Sequence, residues 1–300
     1  RVLKSQFYLD PSYLNRRYLM GVSRPKMLLL CLPALLAIAP FIGACIYIFR
    51  FSISAESGTI SGFSLQPYIE LADPFFLRSA WVTFKLATIS TVIVLLLAVP
   101  LAILLASVKS PILRRTLSVA ILLPMILNLL IQSYGWIILL GPAGVLNTSL
   151  RELGIISRPL MLLFNESGVL LGLIQTALPL AVFPILSAMR GVSTEHLEAA
   201  SSLGASHWQC FFQVSLPLLK PGLISAATIV FAYNASAFAI PLLLGGRKVQ
   251  MLGVAIRDMI SPLFNWSGAA AAGMVLIVVT LCIMLLSMRL VNSISKKGVS

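Results

Sequence analysis

The chain has 300 residues, of which 59% are hydrophobic and only 10% charged, and its mean hydropathy is +0.98. Soluble globular domains carry about 25% charged residues, so this composition excludes a soluble enzyme and specifies a polytopic membrane protein with about five to seven spans in one domain. The formal charge of +13 reads as the positive-inside bias of such a protein, not as a nucleic-acid footprint.

Residues 1–26 form a basic tail, in which Arg1, Lys4, Arg16, Arg17, Arg24 and Lys26 face the single acid Asp10. Its Tyr and Leu residues suit the membrane surface. The first apolar run, 27–49, is long enough to cross a bilayer at about 1.5 Å per residue. Ile42-Gly43-Ala44-Cys45 resembles a lipoprotein cleavage box, but the run is too long for a signal-peptide core and more spans follow. A loop over 50–80 precedes the second span, 81–106, where Pro100 is expected to kink the helix. Lys109, Arg114 and Arg115 make a basic turn before the third span, 116–140, which carries Asn128, Gln132, Ser133 and Tyr134.

After a loop over 141–167, the fourth span, 168–189, opens on Gly168-xxx-Gly172, a close-packing pattern, and contains Gln175, Thr176, Pro179 and Pro184. The fifth span, 223–244, holds Tyr233, Asn234 and Ser236. The sixth, 267–288, opens on small residues such as Ala269 and Gly273, expected to admit close helix contact, and a basic tail over 289–300 follows. The expected fold is therefore all-α with six transmembrane helices. Such a topology places both termini and the loops at 107–115 and 190–222 on one side. That side holds 14 of the 22 Lys and Arg residues and three of the nine acids, so it is expected to be cytoplasmic.

Several chemistries are missing. No GxxxxGK[ST] phosphate loop occurs, and no catalytic triad or carboxylate pair. The four cysteines, Cys31, Cys45, Cys210 and Cys282, show no CxxC spacing, and the only two histidines, His196 and His207, fit no zinc pattern; neither a catalytic nor a metal site is expected. Polar residues inside spans are costly and by default face a cavity or a partner helix. Asn128, Gln132, Tyr134, Gln175, Tyr233 and Asn234 are thus candidate pathway residues, with interhelical hydrogen bonding as the alternative. No Asp or Glu lies within any expected span.

The stretch 193–222, STEHLEAASSLGASHWQCFFQVSLPLLKPG, breaks the apolar pattern and reads as two short helices with a turn. Thr194 can cap the first, and Glu195 and Glu198 suit its positive end. Gly204 permits the left-handed backbone that ends it. Ser206 and Gln209 match the S-x-x-Q capping box of a second helix bearing Trp208, Phe211 and Phe212; Leu216-Pro217 and Pro221-Gly222 are expected to stop that helix.

Glu198-Ala199-Ala200, then Gly204, then Leu216-Pro217 resembles the EAA loop of binding-protein-dependent ABC importer permeases, and the resemblance covers the chain from about Arg78 onward. Leu242-Leu243-Leu244-Gly245-Gly246 and Asn265-Trp266-Ser267-Gly268 are most similar to the spermidine/putrescine-type permeases. The resemblance implies a bacterial inner-membrane subunit that is not an enzyme. Its partners would be a second permease (a different chain being favoured), two ATPase subunits that bind ATP and Mg, and a periplasmic binding protein. It implies no cofactor in this chain. Glu198, Ala199, Ala200, Leu203, Gly204, Ala205 and Ser206 would form the ATPase-coupling element, with Trp208 and Phe211 packing the loop onto the membrane domain. The implied cargo is a polyamine; an opine, an amino-acid-like solute or another small organic solute is the alternative, and an ATP-independent channel or carrier the distant one.

Overall fold

The computed structural model describes residues 24–55, 62–191 and 194–297, and every regular element among them is helical. The chain divides into two compact units, 1–50 and 51–300. Helix α1 (Arg24–Ser52) is 29 residues long, tolerates Pro33 and Pro40 within it, and is exposed from Leu32 to Phe49. An apolar helix exposed all round suits lipid, not water. The basic tail up to residue 23 lies outside the described residues, as do Glu56 and the side chains of Thr194, Glu195, His196 and His207.

In the second unit, a short helix α2 (Gln66–Glu70) leads into α3 (Pro74–Ser107), whose start is fixed by Asp73 accepting from the Phe75 N–H. Next come α4 (Pro111–Ile126), α5 (Leu129–Leu140), α6 (Val145–Glu152) and α7 (Glu166–Arg190). The loop region holds α8 (Thr194–Ser202) and α9 (207–218), followed by α10 (Lys220–Ala235), α11 (Leu252–Ile260) and α12 (Trp266–Lys297). By length and composition five helices can cross a membrane, and a sixth if the segments Cys210–Leu218 and Lys220–Ala235, bent by 62°, count as one span.

The core lies between α3, α7 and α10. Val94, Ala98, Ala102, Ala177, Ala181, Val182, Ile185, Ala226 and Val230 are all fully buried there. Alanine dominates because small side chains let helix backbones approach in lipid. Gly222 extends this: a Cβ there would stand 2.5 Å from Ala188 Cβ and 3.0 Å from the Pro184 carbonyl. A second cluster (Leu86, Val169, Leu173, Ile240, Leu244) closes the other end of the same helices. Within it Gly172 meets Ile240, as the GxxxG pattern implies, whereas Gly168 abuts the preceding turn at Leu162. Gly273 differs from expectation, because nothing lies within 4 Å of its Cβ position.

Two expected spans and the expected end of the second loop helix differ in detail. Residues 116–140 are not one helix: α4 ends at Ile126 and α5 starts after Asn128, whose side chain accepts from the Leu130 N–H. Residues 223–244 also divide, since α10 ends at Ala235 and Pro241–Gly245 form a separate π-helical turn. Pro241 has no N–H to continue a ladder and can only open the next turn. The prolines at 217 and 221 do not stop α9; they bend it. The ladder upstream of Pro217 relaxes into a π-helix over Cys210–Ser215, and the chain turns at Leu219 into α10. The loop over 50–80 contains α2 and the first turns of α3.

Candidate functional site

The exposed turn between α8 and α9 is built by local hydrogen bonds. Gly204 has φ +85°, its N–H bonds to the Ser201 carbonyl at 3.0 Å, and the Ala205 N–H reaches back to Ala200 at 3.1 Å. That pattern is a Schellman stop, which needs a left-handed residue at the turn. One residue later the capping box closes reciprocally: the Ser206 N–H donates to Gln209 Oε1 at 2.7 Å and the Gln209 N–H to Ser206 Oγ at 3.4 Å. The two motifs adjoin, so the direction of α9 relative to α8 is fixed by backbone bonding. Glu198, Ala199, Leu203, Gly204 and Ser206 are exposed, Leu203 at 89%, while Ala200 and Ala205 are half-buried. Leu203 is the most exposed large hydrophobic residue among the described ones.

Behind the turn, Trp208 stacks on Phe212 with centroids 6.0 Å apart, and Phe211 meets Phe212 edge-on at 5.1 Å. With Leu95, Leu96, Val99 and Pro100 of α3 these rings wall an apolar groove of about 690 Å³. Trp208 and Phe212 remain largely exposed, at 74% and 55%, and the groove separates them from α3.

The six candidate pathway residues separate into two groups. Four are engaged or turned elsewhere. Asn128 caps α5, and Tyr134 is exposed. Gln175 accepts from Trp136 Nε1 at 2.6 Å. Asn234, fully buried, donates to Ser90 Oγ at 2.8 Å and ties α10 to α3. Gln175 and Asn234 thus each make an interhelical hydrogen bond. Gln132 and Tyr233 do come together: with Pro124, Leu127 and Thr176 they line a cavity of about 180 Å³ at the break between α4 and α5.

Gln132 is 8% exposed, and its Nε2 donates to the carbonyls of Pro124 and, at 3.2 Å, Leu127. Those carbonyls have no helical N–H because the ladder is interrupted, so one amide satisfies both. Its Oε1 is buried with no partner among the described residues. Thr176 Oγ1 donates to the Gly172 carbonyl at 2.9 Å, which leaves its lone pairs toward other donors.

Sequence reasoning missed Ser90, Thr176 and Trp136 as polar partners inside the bundle, and it missed the ion pair of Lys85 with Glu166 at 2.6 Å. Ser90→Ala removes the acceptor of a fully buried amide. It is expected to cost about 1–3 kcal/mol, seen as a lower thermal midpoint of the purified protein; an unchanged midpoint would mean that Asn234 needs no partner. Three further asparagines have structural uses. Asn147 bonds the Gly141 carbonyl and both backbone groups of Leu160, and Asn165 and Asn265 cap α7 and α12 through the N–H groups of Gly168 and Gly268. Among the described residues no group of His, Cys, Asp and Glu is placed to hold a metal ion.

An Ala-packed bundle of helices long and apolar enough to cross a bilayer is the architecture of an integral membrane protein. Residues 98–296 match the family described as binding-protein-dependent transport system inner membrane component, and the chain belongs to it. The chain is 35% identical over 208 residues to the spermidine/putrescine transport system permease protein PotB of Haemophilus influenzae, covering 69% of this chain and 72% of that one. The Escherichia coli PotB is 32% identical over 235 residues (78% and 85% of the two chains). The molybdenum transport system permease protein ModB of Azotobacter vinelandii is 30% identical over 198 residues (65% and 85%). Among solved structures, a bacterial ABC transporter for the import of the acidic polysaccharide alginate superposes with TM-score 0.74 over 90% of this chain and 95% of that one, at 19% identity. The MetNI methionine ABC transporter gives 0.57 over 76% and 98%, at 20% identity. The chain is an all-α, multi-pass inner-membrane permease subunit of an ABC importer and not an enzyme.

Proposed function

We propose that this chain forms one half of the translocation path for a polyamine of the putrescine or spermidine class. The similarity to the two PotB permeases, over 69% and 78% of the chain, carries the choice of cargo. A periplasmic binding protein delivers the cargo, a second and different permease supplies the other half of the path, and two ATPase subunits binding ATP and Mg drive it. Both termini and the turn at 190–222 face the cytoplasm, where 14 of 22 basic residues then lie.

In this reading the α8–α9 turn is the coupling element. Leu203 is the knob that enters an ATPase groove, Glu198 makes polar contact at its edge, and Ala199 and Ala200 leave the surface smooth enough to seat. Gly204, Ala205 and Ser206 hold the bend. Closure of the ATPases on ATP moves this turn, and α9 passes the movement to the bundle. Gln132 and Tyr233 line the path; Asn128, Tyr134, Gln175 and Asn234 shape it from behind.

The cargo is tested by tracer uptake into liposomes carrying the assembled complex with its binding protein, comparing putrescine, spermidine, an opine and molybdate. Uptake of a polyamine alone is the expected result. Uptake of only the opine or only molybdate would keep the importer and reject the polyamine.

A further inference from the structure

The cavity at the α4–α5 break has a chemical bias that polarity alone does not convey. Apart from the Tyr233 hydroxyl, its side-chain hydrogen-bond donors are already committed. Gln132 Nε2 serves the Pro124 and Leu127 carbonyls, and Thr176 Oγ1 serves Gly172. The acceptors are not. Gln132 Oε1 is buried without a partner among the described residues, and the position of Nε2 between two carbonyls fixes which end of the amide it is. The Leu130 N–H, which would continue the ladder to Ile126, bonds to Asn128 Oδ1 instead. Tyr233 and Thr176 add hydroxyl oxygens from two other helices.

We infer that this break binds one protonated amine of the cargo, taking an alkylammonium group through its N–H donors. The inference rests on the polyamine reading above and adds the site and its chemistry. The cavity, about 180 Å³, admits a terminal ammonium and its first methylenes, with Met125, Leu129 and Leu180 as the apolar wall. An oxyanion such as molybdate would find the Tyr233 hydroxyl as its one uncommitted donor. A purely structural glutamine needs only its Nε2 to mend the break; leaving Oε1 buried and unpaired is otherwise a cost. Among the described residues no carboxylate lines the site. A full negative charge would hold a dication too long in a low-dielectric path, whereas neutral acceptors bind weakly enough to release it.

The test is equilibrium binding of labelled putrescine to the purified permease–ATPase complex without binding protein, beside its analogue with both ends trimethylated. The analogue keeps the charge and loses every N–H donor. Tyr233→Phe and Thr176→Val each preserve shape and remove an acceptor. Each is expected to weaken putrescine roughly tenfold with little effect on the analogue, since one hydrogen bond to a charged group is at stake. A ratio of the two affinities unchanged in both variants overturns the site, as does a wild-type complex that binds putrescine no better than the analogue. Failure of the polyamine reading is separate and shows in uptake through the binding protein. If amines are imported but the affinity ratio does not move, only the site is wrong.

Discussion

Gly222→Ala is expected to destabilise the bundle by about 1–3 kcal/mol, and Gly222→Val by more, because the added carbon enters space already filled by backbone. Its nearest neighbours would be Ala188 Cβ at 2.5 Å, the Pro184 carbonyl oxygen at 3.0 Å and Ile185 Cα at 3.3 Å. Two of these are main-chain atoms of α7, so no rotamer change relieves the contact and α7 and α10 must part. The contact sits in the Ala-rich core where α3, α7 and α10 meet. Against a total stability of about 5–15 kcal/mol, the Val variant should be poorly recovered from membranes and melt early. Ala188→Gly, combined with Gly222→Ala, removes the shortest contact and should restore part of the loss. Full stability of Gly222→Ala alone would mean that the helices are farther apart than described.

The second large effect is at Gly204, and it concerns coupling instead of folding. Nothing lies within 4 Å of a Cβ there, so a side chain fits, but φ +85° is costly for any residue with one. A β-branched side chain is the worst case, and Asn and Asp are the most tolerant. Gly204→Val is therefore expected to insert and assemble yet lose most ATP-driven uptake. A penalty of about 1–2 kcal/mol shifts the turn away from its Schellman geometry by roughly tenfold. Gly204→Asn should retain most uptake. Gly204→Asp keeps the backbone option but places a charge beside Leu203, so its failure would report the docking surface and not the bend. Equal uptake by the Val variant and wild type would remove the turn from the coupling argument.

How much of this was legible in the sequence follows from the range of the interactions. The stop at Gly204 and the Ser206–Gln209 box are complete within a few residues, so the stretch 200–209 could be read off directly. The helix break at 127–128 is also local, since Asn128 caps its own chain and Gln132 bonds back to Pro124 and Leu127. It was hidden by uniform hydrophobicity: in a membrane protein an apolar run of span length reads as one helix whether or not its ladder is continuous. Three pairs were not legible at all. Lys85 with Glu166, Asn234 with Ser90, and Thr83 with the Leu252 N–H join residues 81, 144 and 169 positions apart, and only the packing of α3 against its neighbours makes them partners. Asn234 looked like a pathway residue for that reason. The same packing left Gln132 and Tyr233 on a common cavity, which spacing alone could not distinguish from the other four.

In the proposed function this chain moves cargo only when an ATPase acts on its exposed turn. The most direct measurement is tracer uptake in liposomes holding the co-expressed complex with its binding protein, with and without ATP, and with and without the ATPase subunits. Uptake is expected to require both ATP and the ATPase. Uptake that persists without either would contradict the proposed function and identify the chain as a channel or self-sufficient carrier.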